Sequence, residues 1–335
     1  MARWGRARLV DWLLQHDLKH MLLRLALLLS FGTWIEEIEP MRSGTHRRVY
    51  SGIWNGQSVI MLIAPDLRAF YTEQAAYTLL QASGLPVSRL LFSDARPRWL
   101  YLSTTILSRL PGTSLESVVV PEAQRLRLYR EAGALLQRLH TIRVRAVGPL
   151  CLRDGEYRGM YASWHDYWTD LRIVETCLEY LQQRDVLRDA DLALLREAGV
   201  RVRNAQFGQS VLLHGDYHAV NLLTDGQHIT GIIDLADALA GDPRYDVGTS
   251  LAFFSAEEQA AFREGYGPLA DDPLVACYTA LAAAYRFAWA GLTIGQQTRG
   301  SSAHAQRAPA MLRALHEALA DLRSAPAQRI TGARA

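Results

Sequence analysis

The chain reads His214-Gly215-Asp216-Tyr217-His218-Ala219-Val220-Asn221, then Ile232-Ile233-Asp234, then Gly241-Asp242-Pro243. Val211-Leu212-Leu213 is a short apolar run that stops at His214-Gly215, so Asp216 opens a loop. Leu222-Leu223-Thr224 reads as a strand, Asp225-Gly226-Gln227-His228 supplies turn chemistry, and Ile229 to Ile233 returns as the β-branched partner. Folding back about that turn brings Asn221 and Asp234 to the same open end, with Asp216 on the adjoining loop. Taken singly, Asp, Asn and Gly beside strands are ordinary turn formers. The linked order of strand, loop Asp, Asn, hairpin, Asp and Gly-Asp-Pro is far more specific.

These residue types suit one kind of chemistry. An amide and a carboxylate are both oxygen donors and fit Mg²⁺, which keeps few protein ligands and takes the rest from phosphates and water. Asp216 is then left to accept the proton of an attacking hydroxyl.

The segment from Val211 to Asp246 resembles the nucleotide-binding and catalytic core of the aminoglycoside phosphotransferase family, and the order around it is similar from about Ser43 to about Leu319. Segments such as Ala162-Ser163-Trp164-His165-Asp166 and Asn221 to Phe254 resemble hygromycin-type phosphotransferases and their bacterial relatives. The resemblance implies an α+β, two-lobed, protein-kinase-like fold: a small antiparallel sheet with one helix, then a larger, mainly helical lobe. It implies Asp216 as catalytic base, Asn221 and Asp234 as Mg²⁺ ligands, His214 and His218 as the histidines of a His-Gly-Asp-x-His pattern, and Asp242 and Asp246 as supporting acids. ATP, with GTP as the alternative donor, would sit between the lobes. The family usually has Pro-Gly where this chain has Ala219-Val220, a departure that touches loop shape more than chemistry.

At 335 residues and 49% hydrophobic, the chain can bury one large core or two modest ones. A net charge of +2 demands no nucleic-acid partner. Cys151, Cys177 and Cys277 are scattered without C-x-x-C spacing, which points to a reducing compartment, and the cytoplasm is the expected location. Residues 1–40 are expected to form an amphipathic helical extension, with Leu14, Leu18, Met21, Leu22, Leu25, Leu28 and Leu29 on one stripe. It would pack on the first lobe or, alternatively, serve a dimer or a membrane surface. Its charges and short apolar run disfavour a signal peptide or transmembrane segment.

Beyond it, the first lobe is expected over 41–107, a hinge over 108–113, the second lobe over 114–325 and a frayed tail over 326–335. Strands are expected at Arg47–Trp54 and Gln57–Ile63 about an Asn55-Gly56 turn, with another strand over Trp99–Leu107. Helices are expected at Leu67–Ala82, Glu122–His140, Trp164–Gln183, Ala190–Asn204, Glu257–Tyr266, Pro273–Ile294 and Ala308–Arg323. By resemblance, Gly44 lies in the phosphate-covering turn, and the hinge from Ile106 to Leu110, with Ser108 near the place of a common acid, meets the adenine edge.

Lys19 is the only lysine, and the strand Val59-Ile60-Met61-Leu62-Ile63 carries no base where related kinases place one against the phosphates. Met61 or Leu62 takes that place. Glu73 is the expected helical partner of the missing base, or else part of a solvated helix face. Arg47, Arg48 or Arg68 would be the replacements. For the acceptor, Asp237, Glu257, Glu258, Glu264, Asp271 and Asp272 would line a pocket for a polycationic aminoglycoside, or form solvated charges, Asp237 being the best placed. Tyr278, Tyr285, Phe287 and Trp289 fit a buried helix or a sugar platform.

Three functions follow. The first is an ATP- and Mg²⁺-dependent kinase of a small hydroxylated molecule, led by an aminoglycoside or similar antibiotic, hence antibiotic resistance. The second is the same reaction on a metabolic sugar, amino alcohol or natural product. The third is a nucleotide-binding pseudokinase, favoured by the missing base and opposed by Asp216, Asn221 and Asp234 together.

Overall fold

A computed structural model describes residues 28, 34–41, 48–64, 66–95, 103–296 and 302–324. The expected N-terminal helix, the turn holding Gly44, Arg47, the start of the expected Trp99 strand and the tail lie outside the described residues.

The first lobe is a five-stranded antiparallel sheet of β1 (Ile35–Met41), β2 (Arg48–Trp54), β3 (Gln57–Ala64), β4 (Leu90–Asp94) and β5 (Ser103–Ser108), in the order β1-β2-β3-β5-β4. Asn55 and Gly56 join β2 to β3 with both φ angles positive, at 51° and 73°, as a two-residue hairpin turn of the right twist requires. The sheet begins ahead of the expected lobe boundary at residue 41. Ile35 and Ile38 are buried against Tyr50, Met61 and Ile106, so this strand belongs to the lobe rather than to a helical extension.

Helix α1 (Leu67–Leu80) is capped by Asp66, whose Oδ1 accepts the Arg68 N–H at 2.8 Å. Strand alternation puts Met61 and Leu62 of β3 on opposite faces of the sheet. Met61 packs on the β1 side of the sheet, whereas Leu62 packs with Ala75 and Ala76 of α1.

The chain then crosses to the second lobe. Its β6 (Thr113–Ser114) pairs with β10 (Leu222–Thr224), itself paired with β11 (Ile229–Ile232). Thr113, the last residue of the expected hinge, therefore already belongs to the second lobe. A bulge places Thr230 opposite no partner, and its hydroxyl donates to the Pro111 carbonyl at 2.6 Å. Ile232 N–H donates to Pro86 O at 2.7 Å, tying the β10–β11 hairpin to the segment after α1.

Among the described residues the second lobe holds eight helices, not all of them foreseen. α2 (Glu122–Leu139), α5 (Asp189–Arg203), α7 (Ala256–Tyr266), α8 (Pro273–Gln296) and α9 (Ser302–Ser324) match the expected helices within a few residues. The single helix expected over Trp164–Gln183 is broken into α3 (Trp164–Leu171) and α4 (Ile173–Gln183), because Arg172 sits in the left-handed region at φ 47°. α6 (Pro243–Leu251) was not foreseen, nor was a sheet in the order β8-β7-β12-β9. There β7 (Val147–Arg153) and β8 (Glu156–Tyr161) form a hairpin beside β12 (Leu239–Gly241) and β9 (Val211–Leu213).

One apolar core runs through both lobes, joining Leu62, Leu80 and Leu107 to Leu128, Leu222 and Ile232. A second fills the space among α3, α4, α5, α8 and α9. No helix among the described residues is long and apolar enough to cross a membrane.

Candidate active site

The loop after β9 is held from behind by Asp246. Its Oδ2 accepts the His214 N–H at 2.6 Å, and its Oδ1 accepts the Gly215 N–H at 2.9 Å. Asp246 is fully buried and also meets His140 Nε2 at 3.2 Å, while His140 Nδ1 lies 2.6 Å from the Tyr266 hydroxyl. Tyr266 keeps its proton because burial pushes the phenol well above its ordinary value, so it donates to His140, which in turn donates to Asp246. Gly215 has φ 84°, and a Cβ there would lie 2.0 Å from the Asp237 carbonyl oxygen, so no other residue fits.

His214 ties three parts together. Its Nδ1 accepts the Asp216 N–H at 3.2 Å and its Nε2 donates to the Ile233 carbonyl at 3.0 Å. That pattern assigns the neutral Nε2–H tautomer. The Ile233 N–H in turn donates to the Asn221 carbonyl at 3.0 Å. Both backbone groups of Ile233 are thus fastened, which seats Asp234, at φ 65°, beside Asn221 at one end of the hairpin.

Asp216 lies against Asn221. Asn221 Nδ2 donates to its Oδ2 at 2.8 Å and to its backbone carbonyl at 2.9 Å, and His218 Nε2 donates to its Oδ1 at 3.1 Å. Burial works against the Asp216 charge. The His218 hydrogen bond, with the Asn221 amide behind it, outweighs burial and holds the carboxyl below its ordinary range. Its side chain is still 38% exposed, which leaves room for an incoming hydroxyl. With its NH₂ engaged by Asp216, the Asn221 amide turns its oxygen the other way, as a hard-cation ligand needs. One amide oxygen and one carboxylate fit Mg²⁺, and no cluster of three or more His, Cys, Asp or Glu suited to another metal occurs among the described residues.

His218 is itself held in place. Its Nδ1 accepts the Val220 N–H at 3.3 Å, and its ring stacks on Phe253 at 4.4 Å and 11°. Arg286 lies over the same ring, Cζ 3.6 Å from the centroid, and donates to the Ala252 carbonyl at 2.8 Å. At those separations the two groups must take opposite faces of Phe253.

Asp242 is structural. It accepts the Arg244 N–H and Nε–H at 3.0 and 2.9 Å and the Tyr278 hydroxyl at 3.0 Å, capping α6 with Pro243 at its first position. Trp164 Nε1 completes the chain by donating to the Tyr278 oxygen at 2.9 Å.

The expected nucleotide residues have mixed positions. Glu73 is 4% exposed on α1, so it is no solvated face. Ser108 is committed to Arg89, its N–H donating to the Arg89 carbonyl and its hydroxyl accepting the Arg89 N–H. Leu110 sits over Gly231 of β11, where a Cβ would come within 2.8 Å of Leu110 Cδ1. Arg48 starts β2 opposite Ile63, whereas Arg68 lies elsewhere, in the wall of a cavity that Asp216 opens into.

That cavity, about 380 Å³, is the part of the site the sequence did not disclose. Asp216, Gly215 and Asp237 line one side, with Trp168, Tyr167, Phe253, Tyr285 and Arg286 among its other walls. Of the six acids expected to receive a polycation, only Asp237 lines it. Glu258 pairs with Arg125 and Glu264 with Arg130, Asp271 with Arg263, Asp272 with Arg244, and Glu257 accepts from the Ser255 hydroxyl. Tyr278 and Tyr285 line it, while Trp289 is 46% exposed.

Comparison with known proteins agrees with this geometry. The chain is 24% identical over 225 residues to the hygromycin-B 4-O-kinase of Escherichia coli, a match that covers 64% of this chain and 61% of that protein's length. Among solved structures, a thermostable mutant of aminoglycoside phosphotransferase APH(4)-Ia in ternary complex with AMP-PNP and hygromycin B superposes with a TM-score of 0.65 at 19% identity, covering 89% of this chain and 97% of the other. The spectinomycin phosphotransferase APH(9)-Ia with ADP and spectinomycin follows at a TM-score of 0.58 and 14% identity, covering 91% and 98%. These likenesses establish the kinase-like, two-lobed fold. Residues 37–273, most of the chain, match the model of the phosphotransferase enzyme family abbreviated APH, and the protein belongs to that family.

Proposed function

We propose that this protein transfers the γ-phosphoryl group of ATP to a hydroxyl of a small molecule held in the cavity beside Asp216. The observation that carries this reading is the Asp216 carboxylate itself, fixed by His218 and Asn221 and open on the cavity side. Asp216 would orient the acceptor hydroxyl and take its proton as the new O–P bond forms and ADP leaves. Asn221 and Asp234 would hold Mg²⁺, which when bound neutralises charge on the phosphates. Leu107, Ser108 and Leu110 would face the base, with Leu62 in the roof. GTP would be the alternative donor.

The lysine-free strand does not overturn this. Burying Leu62 stabilises the fold by about 1.5–3 kcal/mol, and a charge-assisted phosphate contact would be worth roughly 1.5–3 kcal/mol to nucleotide binding. The exchange trades nucleotide grip for lobe packing, without removing the base or the metal ligands. A pseudokinase would have no need of Asp216 poised over a cavity. An antibiotic or other natural product is the acceptor class that the relatives' activities support.

The test is a nucleotide-turnover screen with Mg²⁺ and hydroxylated natural products, with Asp216→Asn as control. Turnover in the wild-type protein that falls by about 10²-fold or more in the variant, while nucleotide affinity holds, supports the reading. Absence of nucleotide binding in the wild-type protein rejects it.

A further inference from the structure

Three phenols line the cavity beside Asp216 from three different helices: Tyr167 of α3, Tyr245 of α6 and Tyr285 of α8. None of their hydroxyls makes a hydrogen bond among the described residues, and none is sealed from solvent. The fourth tyrosine of the wall differs. Tyr278 commits its hydroxyl to Asp242 and to the Trp164 indole, so it is structural. A phenol left open in a cavity is satisfied by water or by a ligand. A few polar groups converging from largely apolar walls mark a ligand site, and the volume of about 380 Å³ is of the size such sites have.

Tyr245 is the best fixed of the three. Both its neighbours in sequence are anchored: Arg244 binds Asp242 and Asp272, and Asp246 holds the start of the loop that carries Asp216. Its ring meets Trp164, Trp168 and Tyr278 edge-on, with centroids 6.1, 6.2 and 5.8 Å away. The ring cannot turn aside without breaking these contacts, so its hydroxyl is preorganised. The negative charges of Asp216 and Asp237 both bear on Tyr245 and Tyr285, and that of Asp237 bears on Tyr167 as well. Burial first, then these charges, keep all three phenols protonated at neutral pH, and they are therefore able to donate.

Resting on the phosphotransfer reading above, we infer that Tyr245, flanked by Tyr167 and Tyr285, reads a second hydroxyl of the acceptor. The molecule taken here is a ring polyol: one hydroxyl meets Asp216, and another accepts from the Tyr245 phenol while donating its own proton onward. A site whose donors are set for a hydroxyl discriminates against an analogue that lacks it, because the donors are then left unpaired.

The test titrates the full-length protein with two ring polyols, hygromycin B and kanamycin B, with and without ADP and Mg²⁺. At least one should bind. Tyr245→Phe, which keeps the ring and its packing, should weaken that polyol about fivefold to tenfold, the size of one lost hydrogen bond, with ADP affinity unchanged. Tyr167→Phe and Tyr285→Phe should each weaken it about twofold to fivefold. Neither polyol binding, or a bound polyol held by the Tyr245→Phe variant within about twofold of the wild-type affinity, overturns the inference. A protein that binds a polyol in this Tyr245-dependent way but binds no nucleotide keeps this inference and loses the phosphotransfer reading. One that binds nucleotide but neither polyol does the reverse.

Discussion

Asp246 holds the backbone nitrogen of His214 at 2.6 Å, across 32 residues of sequence. The same carboxylate holds the Gly215 nitrogen and meets His140, so one buried acid sets where the loop carrying Asp216 begins. In Asp246→Asn the amide can accept one backbone N–H but turns its own NH₂ toward another donor. Hydrogen bonds to a charged group are worth roughly 1.5–3 kcal/mol each, so the variant should lose about 2–4 kcal/mol of stability. Urea unfolding should show a lower midpoint with an unchanged slope.

Gly215→Ala should cost turnover more than it costs folding. Its Cβ would meet the Asp237 carbonyl oxygen at 2.0 Å, and φ 84° strains any L residue. Relief requires the loop to move away from Asp237, which carries Asp216 with it. Turnover should fall by about 10²-fold or more for a displacement on the order of 1 Å, with nucleotide affinity near that of the parent. An alanine variant with full kcat would show that Asp216 is not placed by this loop.

The Phe253 ring, between His218 and Arg286, should affect rate without touching the nucleotide. Phe253→Leu removes the stack and frees the His218 ring to turn from Asp216. Losing one orienting hydrogen bond of about 1–2 kcal/mol predicts a fall in kcat of about fivefold to thirtyfold. KM for ATP should be unchanged, and steady-state kinetics on both substrates checks the split.

Alkaline pH should destabilise the protein through phenols lining the cavity. Burial pushes Tyr167 up to about 12, with Asp237 adding to the rise, and pushes Tyr285 up to about 12 as well. In the unfolded chain these phenols ionise near the ordinary value of about 10. The folded state holds them neutral, so its stability is intact below that pH and falls as pH climbs toward 12. Absorbance at the tyrosinate band should show a late-titrating set that ionises together with unfolding, and Tyr285→Phe should remove part of it.

The three thiols should separate by reactivity. Cys177, in the cavity wall, is pushed up to about 12 by burial, and burial also raises Cys277 despite the neighbouring Arg201 guanidinium. Only Cys151 is half-buried rather than buried. An aromatic disulfide reagent at neutral pH should label about one thiol quickly, and Cys151→Ser should abolish that phase.

Much of the β10–β11 hairpin is legible because its signals are local. Asp225 and Gly226 mark the turn, and the Asp225 carboxylate does accept the N–H groups of Gln227 and His228 at 2.8 Å each. The β7–β8 hairpin had a readable signal too, in Asp154-Gly155 with φ 54° and 78°, but the strands on either side lack clear alternation. The break at Arg172 had none, since arginine seldom adopts the left-handed conformation without tertiary support. The cavity is the least legible feature. Its walls come from Arg68, Trp168, Asp237, Phe253 and Tyr285, residues on separate elements that no window of sequence joins. Aromatic residues on α8 looked like core because two faces of that helix are buried, one of them around empty space.

The hydroxyl bond from Thr230 to Pro111 has a mechanical meaning. The strand that leads into Asp234 is pinned to the connecting peptide just before it enters the second lobe. The same hairpin is tied to the segment after α1 through Ile232 and Pro86, so it is held at two separate points of the chain that leaves the first lobe. The bulge acts as a rivet at this junction, so the ends of the hairpin that carry Asn221 and Asp234 take their place from the connecting peptide as well as from their own turn.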